Sequence, residues 1–198
     1  MSKTKIGEVT DWMRNPAKMF DVSEQTAIVT GASGAFGRGI AITLGAQGAN
    51  VLLASGNEDE LKSVAKDVED VGGKAAYIVR RPDSLVDAEA MRDAALDNFG
   101  SIKMLAVGSG YNKAGFIHEL DYEDWQDVMD ANVRGAWFMA KAVGSYWIEN
   151  NIKGKMLLMS SVRGRHGNIT NSDRTGSRRK RSAAKSHRVR PNGRGART

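Results

Sequence analysis

Short apolar runs and longer helix-period stretches alternate along most of this chain. Thr26–Thr30 (T-A-I-V-T) is a strand-length apolar run ending at a glycine, and 35–47 follows with Ile40, Ala41 and Leu44 at helical spacing until Gly48 stops it. A second run, 50–54 (N-V-L-L-A), precedes a helix over 58–71 that sets Leu61, Val64, Ala65 and Val68 on one face before Gly72-Gly73. The alternation continues with a strand at 75–79, a helix at 84–99 turning Met91, Ala95 and Leu96 inward, and a strand at 102–107. Asp121, with Asp124 three residues on, is the N-cap of a long helical stretch to about Asn150, whose core stripe is Trp125, Val128, Met129, Val133, Ala136 and Ala140. A fifth strand at 155–159 ends in Ser160-Ser161. Strands separated by helices of this length imply right-handed crossovers and a parallel sheet covered on both faces, an α/β doubly wound fold.

The 198 residues suffice for one such domain; 41% are hydrophobic and 26% charged, which excludes disorder throughout. No apolar run approaches bilayer-spanning length, and the first residues lack a signal peptide's apolar stretch, so the expected compartment is the cytoplasm. The absence of cysteine removes disulfides, Cys-ligated metals and thiol nucleophiles. His118 and His166 stand apart from other ligand types, and no metal site is predicted. The net charge of +6 divides unevenly: residues 1–161 hold 17 Lys/Arg against 22 Asp/Glu, while 162–198 hold 12 against one. The expected organisation is therefore an arm over 1–25, a sheet domain over 26–171 and a disordered basic tail over 172–198. Within the arm, Val9, Trp12 and Met13 are spaced to dock as one helical turn, with a mobile arm as the alternative. The tail has no aromatic residue for base stacking, so it offers nucleic acid at most a non-specific, salt-sensitive attraction.

In open parallel sheets, ligands bind beyond the carboxyl ends of the strands, and here the first strand-to-helix turn reads T-G-A-S-G-A-F-G-R-G from Thr30 to Gly39. Glycines let this backbone approach a phosphate, and the free N–H groups opening the next helix present partial positive charge to it. Gly31, Gly34 and Gly37 are the positions that matter most, flanked by Thr30, Ser33 and Phe36. The competing reading is a tight turn that binds nothing.

This turn resembles the T-G-x-x-x-G-x-G of the short-chain dehydrogenase/reductase family, with Ala35 at the middle glycine. The likeness extends over roughly 15–170, through Asp130-Ala131-Asn132-Val133 in the long helix and the fifth strand with Ser160-Ser161. It implies a Rossmann-type sheet holding NAD or NADP, and hydride transfer between nicotinamide and an alcohol or ketone. Ser161 matches the family's substrate-binding serine, and Asn132 the asparagine that supports a proton-relay water. Their plainer readings are a strand-end hydroxyl and a polar residue at a helix kink. A family-like homo-oligomer is also implied, with its interface incomplete in this chain.

Several positions depart from that pattern. The family's Y-x-x-x-K falls about where Asn171 to Arg178 stand, and no tyrosine follows Tyr146. Arg174 and Arg178 stay protonated and cannot cycle a proton as a tuned phenol does, so poor turnover or none is expected. At the end of the second strand, where an acid selects NAD, stands Ser55 with no cation beside it, leaving cofactor preference undetermined. Arg80-Arg81 after the third strand reads as a solvated pair or a phosphate contact. After the fourth strand, Val107 replaces the family's asparagine while Gly108 and Gly110 permit close approach to the cofactor. The change of composition near Ser172 suggests a truncated or frame-shifted ending. Without the family's following helix, Trp137, Phe138, Val143, Tyr146 and Trp147 are expected to leave apolar surface exposed and the chain prone to aggregation.

Overall fold

Thr26–Thr30 forms strand β1, buried at every position, and four more strands pair with it in parallel: β2 (Asn50–Ser55), β3 (Lys74–Val79), β4 (Met104–Val107) and β5 (Lys155–Leu158). Their order in the sheet is β3-β2-β1-β4-β5. The structure is a computed structural model describing residues 11–116 and 118–161. Val9, the stretch proposed to replace Y-x-x-x-K, and the basic tail lie outside the described residues. Parallel neighbours need long crossovers. These are α2 (Ala35–Ala46), α3 (Glu58–Asp70), α4 (Leu85–Phe99), and the pair α5 (Tyr122–Met129) and α6 (Gly135–Glu149). A short helix α1 (Asp11–Arg14) and a 3₁₀ turn (Pro16–Phe20) precede β1. Every strand and helix expected from the pattern is present, with ends moved by one or two residues.

Alternation along the strands divides the core between the two faces of the sheet. Ile28, Leu52 and Leu105 meet Met91 of α4 and Met139 and Val143 of α6 on one side. Val29, Val51, Leu53 and Ala106 meet Ala41 of α2 and Leu61, Val64 and Val68 of α3 on the other. Each such Leu or Val contributes up to about 1.5–3 kcal/mol of burial, which makes these two layers the principal support of the strand ends. Local chemistry sets the helix boundaries. Asn57, Ser84 and Asp121 cap α3, α4 and α5 by accepting from the amides of Glu60, Asp87 and Asp124, and Gly100 closes α4 at φ +75°.

Three expectations change. The stretch after Asp121 is broken by a π-helical turn over Asp130–Arg134. Trp125 and Val133, expected in the core, are 50% and 53% exposed, because α5 and the π-helical turn bury none of their residues and only α6 after them packs on the sheet. Two side chains expected to be stranded are buried instead, because α6 packs on α4 and the sheet through Met139, Val143 and Trp147. Trp147 also donates from Nε1 to the carbonyl of Ile102 at 2.9 Å. Trp137 does remain exposed, as do Met156, Leu157 and Leu158 on β5. Finally, α1 forms at the expected helical turn, but Met13 stays on the surface and docks on nothing that buries it.

Candidate functional site

The order of the sheet reverses at β1, which lies between β2 and β4, and a cleft opens beyond the carboxyl ends there. Its near wall is the turn from β1 into α2. Gly31 adopts φ +64°, and a methyl group on it would fall 2.6 Å from the backbone of Ser109, so the chain leaving β4 crosses directly against this turn. The amide of Gly108 donates to the carbonyl of Thr30 at 3.1 Å, and the hydroxyls of Thr30 and Ser109 lie 3.0 Å apart. These contacts join the ends of β1 and β4 into one rigid lip.

Gly34 is the N-cap of α2, and its amide donates to the carbonyl of Gly31 at 2.9 Å. No side chain caps this helix, unlike α3, α4 and α5. The first-turn amides of α2 therefore keep their donor capacity and the positive end of the helix dipole at the cleft. The cleft measures about 670 Å³ and is lined by Gly31, Ser33, Gly34, Ala54, Ser55, Gly56, Asn57, Gly108, Ser109 and Gly110. Arg80 to Asp83, Tyr111, Asp127, Asp130, Ala131 and Gly135 complete it.

Six of the eleven residues singled out from the sequence thus share one cleft: Gly31, Ser33, Gly34, Ser55, Gly108 and Gly110. Thr30 is fully buried behind the lip, and Gly37 sits beneath the turn, where a methyl group would fall 2.2 Å from the Gly31 carbonyl oxygen. Phe36 is 72% exposed and outside the lining. Asn132 lies in the π-helical turn; its Nδ2 donates to the carbonyls of Tyr111 at 2.6 Å and Val128 at 2.8 Å. A methyl group on Gly110 would come within 2.7 Å of Asn132 Oδ1, so this side chain braces the loop that follows β4. Lys113 ties the same loop to α5 through Asp124 at 2.7 Å, a hydrogen bond that raises the pKa of the ammonium. Ser161 is exposed past the end of β5 and is not among the lining residues.

The corner beyond β2 differs from its reading in the sequence. Ser55 is buried, and its Oγ accepts from the amide of Asn57 at 3.2 Å. Ser55 pairs in register with Val79, so the fold delivers Arg80 and Arg81 to the side of a corner that had no cation in sequence. Arg80 is bound to Asp87 at 2.5 Å, where hydrogen bonds from Ser84 and then Arg80 hold the Asp87 carboxyl below its ordinary pKa. Arg81 instead covers Gly56, so closely that a methyl group on Gly56 would lie 2.7 Å from Arg81 Nε. The expected solvated pair is therefore one ion-paired arginine and one folded over the corner.

Ser109, Tyr111 and Gly135 went unnamed as site residues in the sequence, as did Asp127 and Asp130, while Arg81 was named only as one of a solvated pair or a phosphate contact. The available signal was position: the first residues after each parallel strand converge on the same end of the sheet. The opposite wall is acidic, with Asp130 engaged by Arg134 at 2.9 Å and by Gln126 at 2.7 Å. A cleft with a Cβ-free lip, an uncapped helix start at one wall and a cation at the far corner suits an elongated molecule bearing phosphate.

Comparison with known proteins points the same way. The family model for short chain dehydrogenases matches residues 25–177. An uncharacterized oxidoreductase of Mycobacterium tuberculosis is 41% identical over 151 residues, covering 75% of this chain and 54% of that protein. The chain thus spans about half the length of this relative. Among solved structures, a short-chain type dehydrogenase/reductase from Mycobacterium marinum superposes with a TM-score of 0.75 at 27% identity, covering 77% of this chain and 62% of that one. An NAD+-bound xylitol dehydrogenase gives 0.70 at 27% identity, covering 74% and 56%.

Proposed function

The chain belongs to the short-chain dehydrogenase family, and from that premise we propose that its cleft holds NAD or NADP for hydride transfer between nicotinamide and an alcohol or ketone. One observation carries the reading: α2 starts without a side-chain cap, at a lip where Gly31 and Gly108 keep Cβ atoms out of the way. Backbone amides there and the Ser33 hydroxyl hold the pyrophosphate, in the manner of other helix N-termini that bind anions. The bound dinucleotide supplies the hydride acceptor or donor.

The chain's own residues take the remaining roles. Gly108 and Gly110 let the dinucleotide lie against the β4 end, and Asn132 fixes the Tyr111 loop that borders it. Thr30, Gly37 and Phe36 act from behind or beside the lip, through the shape of the turn rather than through the cleft wall. Ser161, at the end of the β5 segment, provides a hydroxyl for the substrate oxygen. Residues 26–171 form the cofactor-binding unit, and a small alcohol or ketone is the partner. Where the family's Y-x-x-x-K is expected, 171–178 reads N-S-D-R-T-G-S-R with neither residue, and on this reading no phenol there exchanges the substrate's proton. General acid–base help of this kind contributes about 10²–10⁴ in rate, and turnover falls by that order without it. The sequence therefore supports cofactor binding with little or no hydride transfer. Fluorescence titration with NADH and NADPH, followed by assays with sugar acids, polyols and simple ketones, tests both halves. Saturable binding with turnover near background is expected; rapid turnover by this chain contradicts the second half.

A further inference from the structure

We propose that Arg81, reaching from the end of β3, makes the corner beyond β2 a site for the 2′-phosphate of an adenine dinucleotide, so that the chain selects NADP(H). The assignment rests on the cleft's holding a dinucleotide at all. Four observations converge on this corner. Ser55 ends β2 where a carboxylate would accept from the ribose hydroxyls and repel a 2′-phosphate; a serine hydroxyl does neither as strongly. Gly56 has no Cβ, and the Arg81 guanidinium occupies the space that a Cβ would take. Both residues line the same cleft as the α2 N-terminus. Arg81 also differs from its neighbour: Arg80 is committed to Asp87, whereas Arg81 makes no ion pair among the described residues.

The acids nearby leave the guanidinium available. Asp83 meets Arg81 through the backbone, its amide donating to the Arg81 carbonyl at 2.9 Å. The first turn of α3 carries Glu58, Asp59 and Glu60, but none of them lines the cleft, and Glu58 is paired with Lys62 at 2.9 Å. An arginine fork suits a phosphate because two N–H groups can donate to it in one plane, and such charge-assisted bonds outweigh neutral ones. The Ser55 hydroxyl and the Asn57 side chain add polar character to the same corner.

The test is binding of NADPH against NADH, and of adenosine 2′,5′-bisphosphate against adenosine 5′-monophosphate, to the full chain and to three variants. Wild type is expected to favour the 2′-phosphorylated member of each pair on the order of tenfold or more. Arg81→Gln weakens NADPH far more than NADH and so removes that preference. Arg81→Lys keeps part of it. Gly56→Ala, whose new methyl displaces only the mobile end of Arg81, reduces the preference without unfolding the chain. Equal binding of both pairs by wild type overturns the assignment, as does an Arg81→Gln variant that weakens NADH and NADPH alike. A folded wild-type chain that binds none of the four ligands refutes the dinucleotide reading itself, and the Arg81 assignment falls with it.

Discussion

Gly37 lies beneath the carbonyl oxygen of Gly31 at a separation that admits no side chain, since a methyl group there would fall 2.2 Å from that oxygen. Two glycines six positions apart are thereby locked into one turn, and the turn fixes where α2 begins. Gly37→Ala must push the Gly31 carbonyl out of place, at a cost of about 1–3 kcal/mol or more, with loss of dinucleotide affinity. Denaturant melts and fluorescence titration read the two effects. Wild-type stability and binding together in the variant would contradict this packing.

A second prediction concerns the wall that supports β4. A methyl group on Gly154 would come 2.2 Å from the Trp147 ring, whereas one on Gly144 of α6 would meet nothing within 4 Å. Gly154→Ala is therefore expected to destabilise the chain by about 1–3 kcal/mol. Gly144→Ala should stabilise it by about 0.5–1 kcal/mol through helix propensity. Trp147→Phe leaves the Ile102 carbonyl without its 2.9 Å donor and should cost about 1–3 kcal/mol. Thermal melts of the three variants give the ordering directly.

Asp87 predicts a pH dependence. Its carboxyl is held below the ordinary value by Ser84 first and Arg80 second. A group depressed in the folded state contributes its full stabilisation above its unfolded pKa, about 3.9 for Asp, and loses it as pH falls through the lower folded value. Stability measured by denaturant should thus fall between neutral pH and about pH 3, and Ser84→Ala should shrink that drop. Ser84→Ala also removes the α4 cap, which costs about 1 kcal/mol at neutral pH. An identical pH profile in wild type and variant would show that Ser84 does not set the Asp87 carboxyl.

Asn132 joins the π-helical turn to the loop after β4 through the Tyr111 carbonyl, while its second bond goes back to the Val128 carbonyl of α5. Asn132→Ala frees the Tyr111 carbonyl, and the loop bordering the cleft should become more mobile. Hydrogen exchange is expected to rise for the residues around Tyr111 while the strands keep their protection. Unchanged exchange in that loop would remove Asn132 from its bracing role.

The elements were legible in the sequence because both periodicities survive in the fold. Along β1 and β2, Val29, Val51 and Leu53 face one side of the sheet while Ile28 and Leu52 face the other, as strand residues alternate, and Leu61, Val64 and Val68 keep one helical face. The glycine turn was equally plain, since φ +64° at Gly31 and the contact under Gly37 both demand glycine. The break in the long helix was not, because no composition signal marks the π-helical turn at Asp130–Arg134. Arg81 was visible as a residue but not as a neighbour of Gly56. That proximity depends on β3 pairing with β2 in the register Ser55 to Val79, which a linear reading does not contain.

The most direct measurement is calorimetry of NADPH binding to the wild-type chain and to Gly34→Asp. Gly34 has φ −81° and ψ 160°, which aspartate adopts readily, and a methyl group there would meet only the Gly31 oxygen at 3.3 Å. Aspartate is a good N-cap, so the variant should melt at or above the wild-type temperature while placing a carboxylate where the pyrophosphate is held. The expected result is saturable heat for wild type and none for the equally folded variant. Heat of the same size from both, or none from a folded wild type, would contradict the assignment of the α2 N-terminus as the phosphate site.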